Sequence, residues 1–148
     1  MQVYIDADGC PVVDIAIDIC KQRSIPVTLV CDTSHYFTSD YADVITVDKG
    51  PDSADMKVAN LAYKGDIVIT QDYGVAAMCL AKRCICLSQN GLVYDSSNID
   101  SLLLSRHIAK KIRRSGGKLK GPHKRTNEEN EKFRAKLTQI LNSIQKEG

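Results

Sequence analysis

Aromatic residues are scarce in this chain of 148 residues, which has no tryptophan and two phenylalanines. A stacking platform for single-stranded nucleic acid uses exposed aromatic side chains, so the composition argues against one. No apolar run approaches the roughly 20 residues needed to cross a bilayer. The N-terminus also lacks the basic region and apolar stretch of a secretory signal. We therefore expect a soluble cytoplasmic protein with no membrane partner.

The spacings of a thiolate metal site are missing as well, although the chain has six cysteines. Cys31 and Cys86 lie in apolar strand-like runs, and Cys20 and Cys79 lie in helical patterns, as small buried hydrophobic residues do. A zinc site would need further soft ligands at suitable spacing, and the sequence has none that fits. We expect reduced structural thiols.

Charge is distributed unevenly along the chain. Residues 1–105 contain 7 basic and 14 acidic side chains, whereas residues 106–148 contain 13 basic and 4 acidic ones. The first part therefore has a net charge of −7 and the second a net charge of +9. Such an arrangement favours a cation site beside a surface for a polyanion, although a basic run alone is also typical of a solvated helix.

Short apolar strands alternate with helical patterns along residues 1–114. The predicted strands cover residues 3–6, 26–31, 44–47, 66–70 and 84–87. This alternation is typical of right-handed βαβ crossovers and a largely parallel sheet covered by helices on both faces. The sequence therefore predicts an α/β domain over residues 1–114, a three-layer sandwich with a mostly parallel central sheet.

Residues 115–148 are predicted to form a basic loop and a C-terminal amphipathic helix. Thr126 and Glu129 have the spacing of a capping box at the start of this helix. Its apolar stripe consists of Phe133, Leu137, Ile140, Leu141 and Ile144. The stripe must cover either the domain itself or a partner.

Acidic residues follow the predicted strands at the points where those strands end. Asp6 and Asp8 follow the first strand, and Asp72 follows a later one. Asp55 lies in the first turn of a helix that should begin at the same edge of the sheet. Ligands bind at this edge in open parallel sheets, because strand ends and helix N-termini meet there. Thr70 could bind one of these acids or a water molecule, although burial of a strand-end hydroxyl explains it equally well.

Four carboxylates brought together this way repel one another unless a cation neutralises them. Mg²⁺ and Mn²⁺ prefer carboxylate and water oxygens as ligands. One or two such ions can activate water and stabilise the leaving oxygen in phosphodiester hydrolysis. The pattern thus indicates a catalytic Mg²⁺ or Mn²⁺ site at Asp6, Asp8, Asp55 and Asp72.

Three acidic motifs also carry a resemblance to a known family. They are Asp6-Ala7-Asp8-Gly9-Cys10-Pro11, Ser53-Ala54-Asp55-Met56 and Gly65-Asp66-Ile67-Val68-Ile69-Thr70-Gln71-Asp72, and the later Gly121-Pro122 and Asn130-Glu131-Lys132-Phe133 extend the match. The chain resembles the YaiI/YqxD family over nearly its whole length. That family is similar to PIN-domain nucleases, whose acids at the strand ends hold Mg²⁺ or Mn²⁺ for cleaving RNA. The resemblance implies a PIN-like fold, and it implies metal-ligand roles for the four aspartates.

One position departs from the family pattern. Many relatives carry an arginine immediately before the glycine that matches Gly91, whereas this chain has Asn90. Positive charge for phosphate contacts must therefore come from other residues. The predicted nucleic-acid contacts are Lys57, Arg83, Lys110, Lys111, Arg113, Arg114, Lys124 and Arg125.

Three functions are compatible with these residues. The first is a metal-dependent nuclease acting on RNA, in which Asp72 or Asp8 orients the attacking water. The second is a haloacid-dehalogenase-like phosphatase with Asp6 as nucleophile and Asp8 as acid/base, although Cys10 stands where that pattern has threonine. The third is a non-catalytic RNA-binding protein. The sequence leaves the formation of a homo-oligomer open. His35 lies in a predicted loop, where it could contact substrate, although we interpret it as an ordinary surface residue.

Overall fold

The computed structural model describes residues 1–50, 53–117 and 124–147. Gly121 and Pro122, which contribute to the family resemblance, lie outside these ranges. Six strands form one sheet: β1 (Val3–Asp6), β2 (Val27–Asp32), β3 (Asp43–Val47), β4 (Ile67–Ile69), β5 (Ile85–Leu87) and β6 (Val93–Tyr94). Five helices accompany them: α1 (Val13–Gln22), α2 (Ser53–Leu61), α3 (Tyr73–Ala81), α4 (Ser96–Arg114) and α5 (Asn127–Glu147).

The strand order in the sheet is β3-β2-β1-β4-β5-β6. The first five strands in this order are parallel, and β6 is antiparallel to β5 at the edge. The chain travels from β1 outward to β3 and then crosses back to place β4 on the other side of β1. The crevice between the carboxyl ends of β1 and β4 is therefore the topological switch point, where open parallel sheets bind their ligands.

Helices cover both faces of the sheet, because successive side chains of each strand point to opposite faces. Ile5 and Ile69 belong to the core on one face, where α1 and α5 pack. Val30, Val68 and Cys86 belong to the core on the other face, which α2, α3 and the start of α4 cover. The predicted α/β sandwich with a mostly parallel central sheet is confirmed.

The apolar stripe of α5 covers the domain itself. Phe133, Leu137 and Leu141 are fully buried in the same core as α1 and the sheet. The Thr126 backbone N–H donates to the Glu129 carboxylate at 3.0 Å and the Glu129 N–H donates to the Thr126 hydroxyl at 3.3 Å, so the predicted capping box is formed. The tail helix is thus part of the folded core.

Gly91 allows the turn between β5 and β6 to lie directly against α5. Its φ is +85°, and a Cβ at this position would lie 2.8 Å from the carbonyl oxygen of Lys132. A side chain here would both strain the backbone and push α5 away from the turn. Close packing against α5 therefore requires a glycine at position 91 in this chain.

All six cysteines are free thiols, and five of them are buried. In the part of the chain that the structure describes, none of the helices combines the length and hydropathy that crossing a bilayer would require.

Candidate active site

Thr70 joins two of the predicted acids at the switch point. Its hydroxyl donates to Asp6 Oδ2 at 3.1 Å and accepts the backbone N–H of Asp72 at 3.0 Å. The Tyr94 hydroxyl donates to the Thr70 carbonyl at 3.1 Å, so the threonine is held from a third side. Thr70 is buried, and its two hydrogen bonds fix the end of β4 against the end of β1.

Asp55 completes a group of three carboxyls with Asp6 and Asp72. Its side chain is within hydrogen-bonding distance of both partners, and α2 directs it to the cleft from its first turn. Burial, and then the charges of Asp6 and Asp72, raise the pKa of Asp55 to about 7. We name these three residues the carboxylate triad.

The environment of Asp6 also disfavours its charged form. Burial is the main reason that the pKa of Asp6 is raised, and the charges of Asp8 and Asp72 act in the same direction. Hydrogen bonds with Asp55 and Thr70 oppose this effect without cancelling it. Excess negative charge held in a partly buried group is the electrostatic condition that a bound cation relieves.

Asp72 serves the fold and the triad at the same time. It is the N-cap of α3, and its Oδ1 accepts the backbone N–H of Val75 at 3.1 Å. On its other side, Arg106 Nη1 of α4 lies 3.8 Å from the same oxygen. Sequence reasoning did not include Arg106 among the site residues, since its contact with Asp72 depends on how α4 packs against α3.

Asp8 turns away from the triad toward β2 and the loop that follows it. Its Oδ2 accepts the backbone N–H of Asp32 at 2.9 Å, and its enclosed Oδ1 lies 2.8 Å from His35 Nδ1. His35 Nδ1 is also 3.6 Å from Asp32 Oδ1. Among the described residues, Asp8, Asp32 and His35 are the three metal-ligating side chains whose ligand atoms all lie within 4.8 Å of one another.

Sequence reasoning missed this second group. Asp32 ends β2 at the same edge as Asp6 and Asp72, and that position was the available signal. Hydrogen bonds from Ser34 are the main cause of its lowered pKa. The interpretation of His35 as an ordinary surface residue did not anticipate its contact with Asp8. The loop after β2 has no periodic pattern, so its position could not be predicted from the sequence.

Both groups open into one cleft. A cavity of about 410 Å³ is lined by Gly50, Ala54 and Gln71 together with five aspartates, namely Asp6, Asp8, Asp32, Asp55 and Asp72. The structure therefore brings all four predicted acids to one cleft, divided between the triad and the Asp8 side. Such a set of oxygen donors suits hard divalent cations.

The predicted basic residues lie in several places. Lys57 is exposed on α2, two positions after Asp55, and Lys110, Lys111, Arg113 and Arg114 are exposed near the end of α4. Arg83 precedes β5 and therefore lies at the opposite edge of the sheet from the acids. Lys124 is exposed in the segment before α5.

Arg125 ties the turn between β5 and β6 to α5. Its guanidinium donates to Asn90 Oδ1 at 2.6 Å, to the Gln89 carbonyl at 2.7 Å and to Asn130 Oδ1 at 2.7 Å. A positive charge therefore lies beside Asn90 in this chain, and it comes from the segment before α5. Its hydrogen bonds help to hold α5 against the turn.

The fold and the cleft together define an open α/β protein with an acidic site at its topological switch point. The chain matches the sequence profile described as "Uncharacterized BCR, YaiI/YqxD family" over residues 4–143. The protein belongs to this family, as its motifs indicated.

Several relatives match almost end to end. The chain is 47% identical over 143 residues to a "UPF0178 protein" of Clostridium acetobutylicum, covering 95% of this chain and 97% of the relative. It is 51% identical over 137 residues to a "UPF0178 protein" of Ruminiclostridium cellulolyticum, covering 93% and 90%. A "UPF0178 protein" of Exiguobacterium sibiricum is 47% identical over 141 residues, covering 95% and 96%. No solved structure matches the chain.

Proposed function

We propose that this protein is a metal-dependent nuclease that hydrolyses phosphodiester bonds, with RNA as its substrate. The observation that carries the proposal is that the Asp55 carboxyl lies beside those of Asp6 and Asp72 at the switch point, with the pKa of Asp55 raised to about 7. A structural role alone gives little reason to hold three acids in mutual repulsion. RNA as the substrate is proposed from the resemblance of the acidic motifs to the strand-end acids of PIN-domain nucleases, which cleave RNA.

The donor set fits Mg²⁺ or Mn²⁺. Asp6, Asp55 and Asp72 would hold the ion, with Asp8 at the other side of the same cleft. When bound, the ion supplies Lewis-acid polarisation of the phosphoryl group and activation of water at neutral pH. Carboxylates with raised pKa values bind a divalent cation in competition with protons, so the affinity should increase as the pH rises through about 7.

The chain's own residues bind and orient the substrate around this site. Thr70 holds the Asp6 carboxylate by a hydrogen bond of 3.1 Å. The backbone N–H of Val75 holds the Asp72 carboxylate at the start of α3. Arg106 lies beside Asp72 and is placed to hold a phosphate oxygen of the substrate. The exposed basic residues at the end of α4 extend the phosphate-binding surface.

The test is cleavage of a labelled pool of single-stranded and structured RNAs in Mn²⁺, Mg²⁺ or EDTA by the parent protein and by Asp72→Asn. Asparagine keeps the helix cap, because its side-chain oxygen can still accept the N–H of Val75. It removes the charge that a cation requires. We expect metal-dependent cleavage by the parent and a loss of about 100-fold or more in Asp72→Asn. Asp18→Asn, an exposed site on α1, is the matched control and should cleave like the parent.

Two other outcomes would identify the competing functions. Transfer of phosphate from a small phosphomonoester to Asp6 would favour the haloacid-dehalogenase-like reaction. Salt-sensitive RNA binding in EDTA, with no cleavage in any metal, would favour a non-catalytic RNA-binding protein. The basic end of α4 supports such binding in either case.

Gly74 offers a milder change at the same site. A Cβ here would lie 3.1 Å from Asp72 Oδ1, so Gly74→Ala should displace that carboxylate. Alanine is a better helix former by about 1 kcal/mol, and this gain offsets the weaker cap on Val75 that the displaced carboxylate would leave. The metal-free protein should therefore be about as stable as the parent in urea. We expect the Mn²⁺ dissociation constant, measured by calorimetry, to increase by about tenfold. An unchanged Mn²⁺ affinity would show that Asp72 does not bind the ion.

A further inference from the structure

Two exposed methionines lie directly beside the carboxylate triad. Met56 on α2 is 43% exposed and Met78 on α3 is 38% exposed. The whole of α3, Tyr73–Ala81, contains no charged residue, although part of it faces solvent. Exposed apolar side chains are informative where they are grouped around one groove rather than scattered singly.

These side chains line one groove, which we name the methionine groove. It has a volume of about 260 Å³ and is lined by Met56, Gly74, Val75, Met78 and Arg106, with Asp55 and Asp72 at one side. Asp55 and Asp72 also line the acidic cleft. A molecule in the methionine groove would therefore lie next to the group that reacts at the triad.

Positive charge lies on the α4 side of the groove, whereas Asp55 and Asp72 line it beside the triad. Arg106 contributes a guanidinium that is 45% exposed. Lys110 and Arg113 follow it at i+4 and i+7 on α4, so the three side chains lie along one face of the helix. Positive charge flanking an apolar groove suits a ligand that has a flat apolar part and an anionic part, as a nucleotide does.

We propose that the methionine groove binds an unpaired nucleobase adjacent to the cleaved phosphate, while Arg106 holds a neighbouring phosphate. This inference rests on the proposed nuclease function. The thioethers of Met56 and Met78 pack against the base, a contact that sulfur makes favourably with aromatic rings. They take the place of the aromatic side chains in which the chain is poor. A base in a duplex stays stacked and paired, so the site selects single-stranded or locally opened RNA.

The test measures binding without cleavage, in EDTA, by fluorescence anisotropy. The probes are a labelled single-stranded RNA, a hairpin of matched composition, and a set of the single strands that each carry one abasic position. The variants are Met56→Ala, Met78→Ala and Arg106→Gln. Leu92→Ala and Arg134→Gln are the matched controls, since Leu92 is 43% exposed and the Arg134 side chain 46% exposed, both away from the groove.

We expect each methionine variant to bind the intact single strand between about twofold and tenfold more weakly than the parent. One abasic position should weaken binding to the parent by a similar factor and should not weaken it further in Met78→Ala. Arg106→Gln should bind all RNAs more weakly and should lower the salt dependence of binding by about one phosphate contact. The controls should bind like the parent.

Other results would overturn the inference. Equal losses for intact and abasic strands in Met78→Ala, or parent binding that favours the hairpin, would exclude a base in the groove. Dissociation of a dimer by Met78→Ala in sedimentation would make a second copy of the chain the occupant. If the methionine variants cleave RNA like the parent in the presence of metal, the base-binding role of the groove is wrong and the nuclease function stands. If binding depends on the base but no RNA is cleaved, the base-binding role stands and the nuclease function is wrong.

Discussion

The metal-free protein is expected to lose stability as the pH rises from about 4 to about 7, and Asp55→Asn is expected to remove most of that loss. The pKa of Asp55 is raised from 3.8 to about 7 in the folded protein. Between these values the folded state binds more protons than the unfolded state, so unfolding becomes easier as the pH rises. Asp6, whose pKa is raised by burial, contributes with the same sign. Hydrogen bonds from Ser97 and Asn98 lower the pKa of Asp95, so this residue titrates below this range.

We expect a decrease of roughly 2 kcal/mol in the free energy of unfolding across this range, moderated because Asp55 stays partly open to solvent. The measurement is urea denaturation in EDTA at a series of pH values. Above about pH 7, Asp55→Asn should be more stable than the parent, since a neutral amide ends the repulsion and can donate to a neighbouring carboxylate. Added Mn²⁺ should stabilise the parent and have little effect on the variant.

Asp14→Asn is the matched control for this prediction. Asp14 lies in the first turn of α1 as Asp55 lies in the first turn of α2, and Asp14 is exposed. Its loss should remove only the favourable interaction with the helix dipole, about 0.3–1 kcal/mol. The two variants should therefore change stability in opposite directions above about pH 7. Destabilisation by both would contradict the repulsion within the triad.

Phe133→Ala is expected to destabilise the protein by about 3–5 kcal/mol. The ring of Phe133 is fully buried between α5 and the core that α1 and the sheet form. Alanine would leave a cavity where the tail helix joins the domain, and the loss is a large part of a typical folding free energy. Urea denaturation at about pH 5, below the raised pKa of Asp55, would measure it with the repulsion within the triad reduced.

Tyr36→Ala is the control, because it also removes an aromatic ring but from an almost fully exposed position. We expect it to change stability by less than about 0.5 kcal/mol. A similarly small effect for Phe133→Ala would show that α5 does not pack on this sheet in solution. The apolar stripe would then have to cover a partner.

The strands and helices were predictable because their signals are local. The β-branched run at Ile67–Ile69 and the acids at its end are read directly from neighbouring residues. The capping box of Thr126 and Glu129 likewise depends on residues three positions apart. Hydrophobic periodicity and turn chemistry act within a few residues, so they can be interpreted without knowledge of the rest of the fold.

The composition of the acidic cleft was predictable only in part. Strand ends and helix N-termini indicate which edge of the sheet an acid occupies, and these signals placed Asp6, Asp55 and Asp72 at one edge. The direction of each acidic side chain depends on the groups that surround it in the fold. The Asp8 carboxylate accepts the Asp32 N–H and contacts His35, so it points away from the triad. Arg106 is 34 positions away from Asp72 in the chain, and no sequence pattern joins the two.

The sequence by itself determined the alternation of strands and helices, the edge of the sheet that carries the acids, and the apolar stripe of the tail. The tertiary structure decided that the stripe covers the domain, that the acids divide into a triad and the Asp8 side, and that Arg106 and two methionines border the triad. The reason is that backbone periodicity is set by nearby residues. Contacts between α3 and α4, or between β2 and the loop after β1, arise only when distant segments pack against the same sheet.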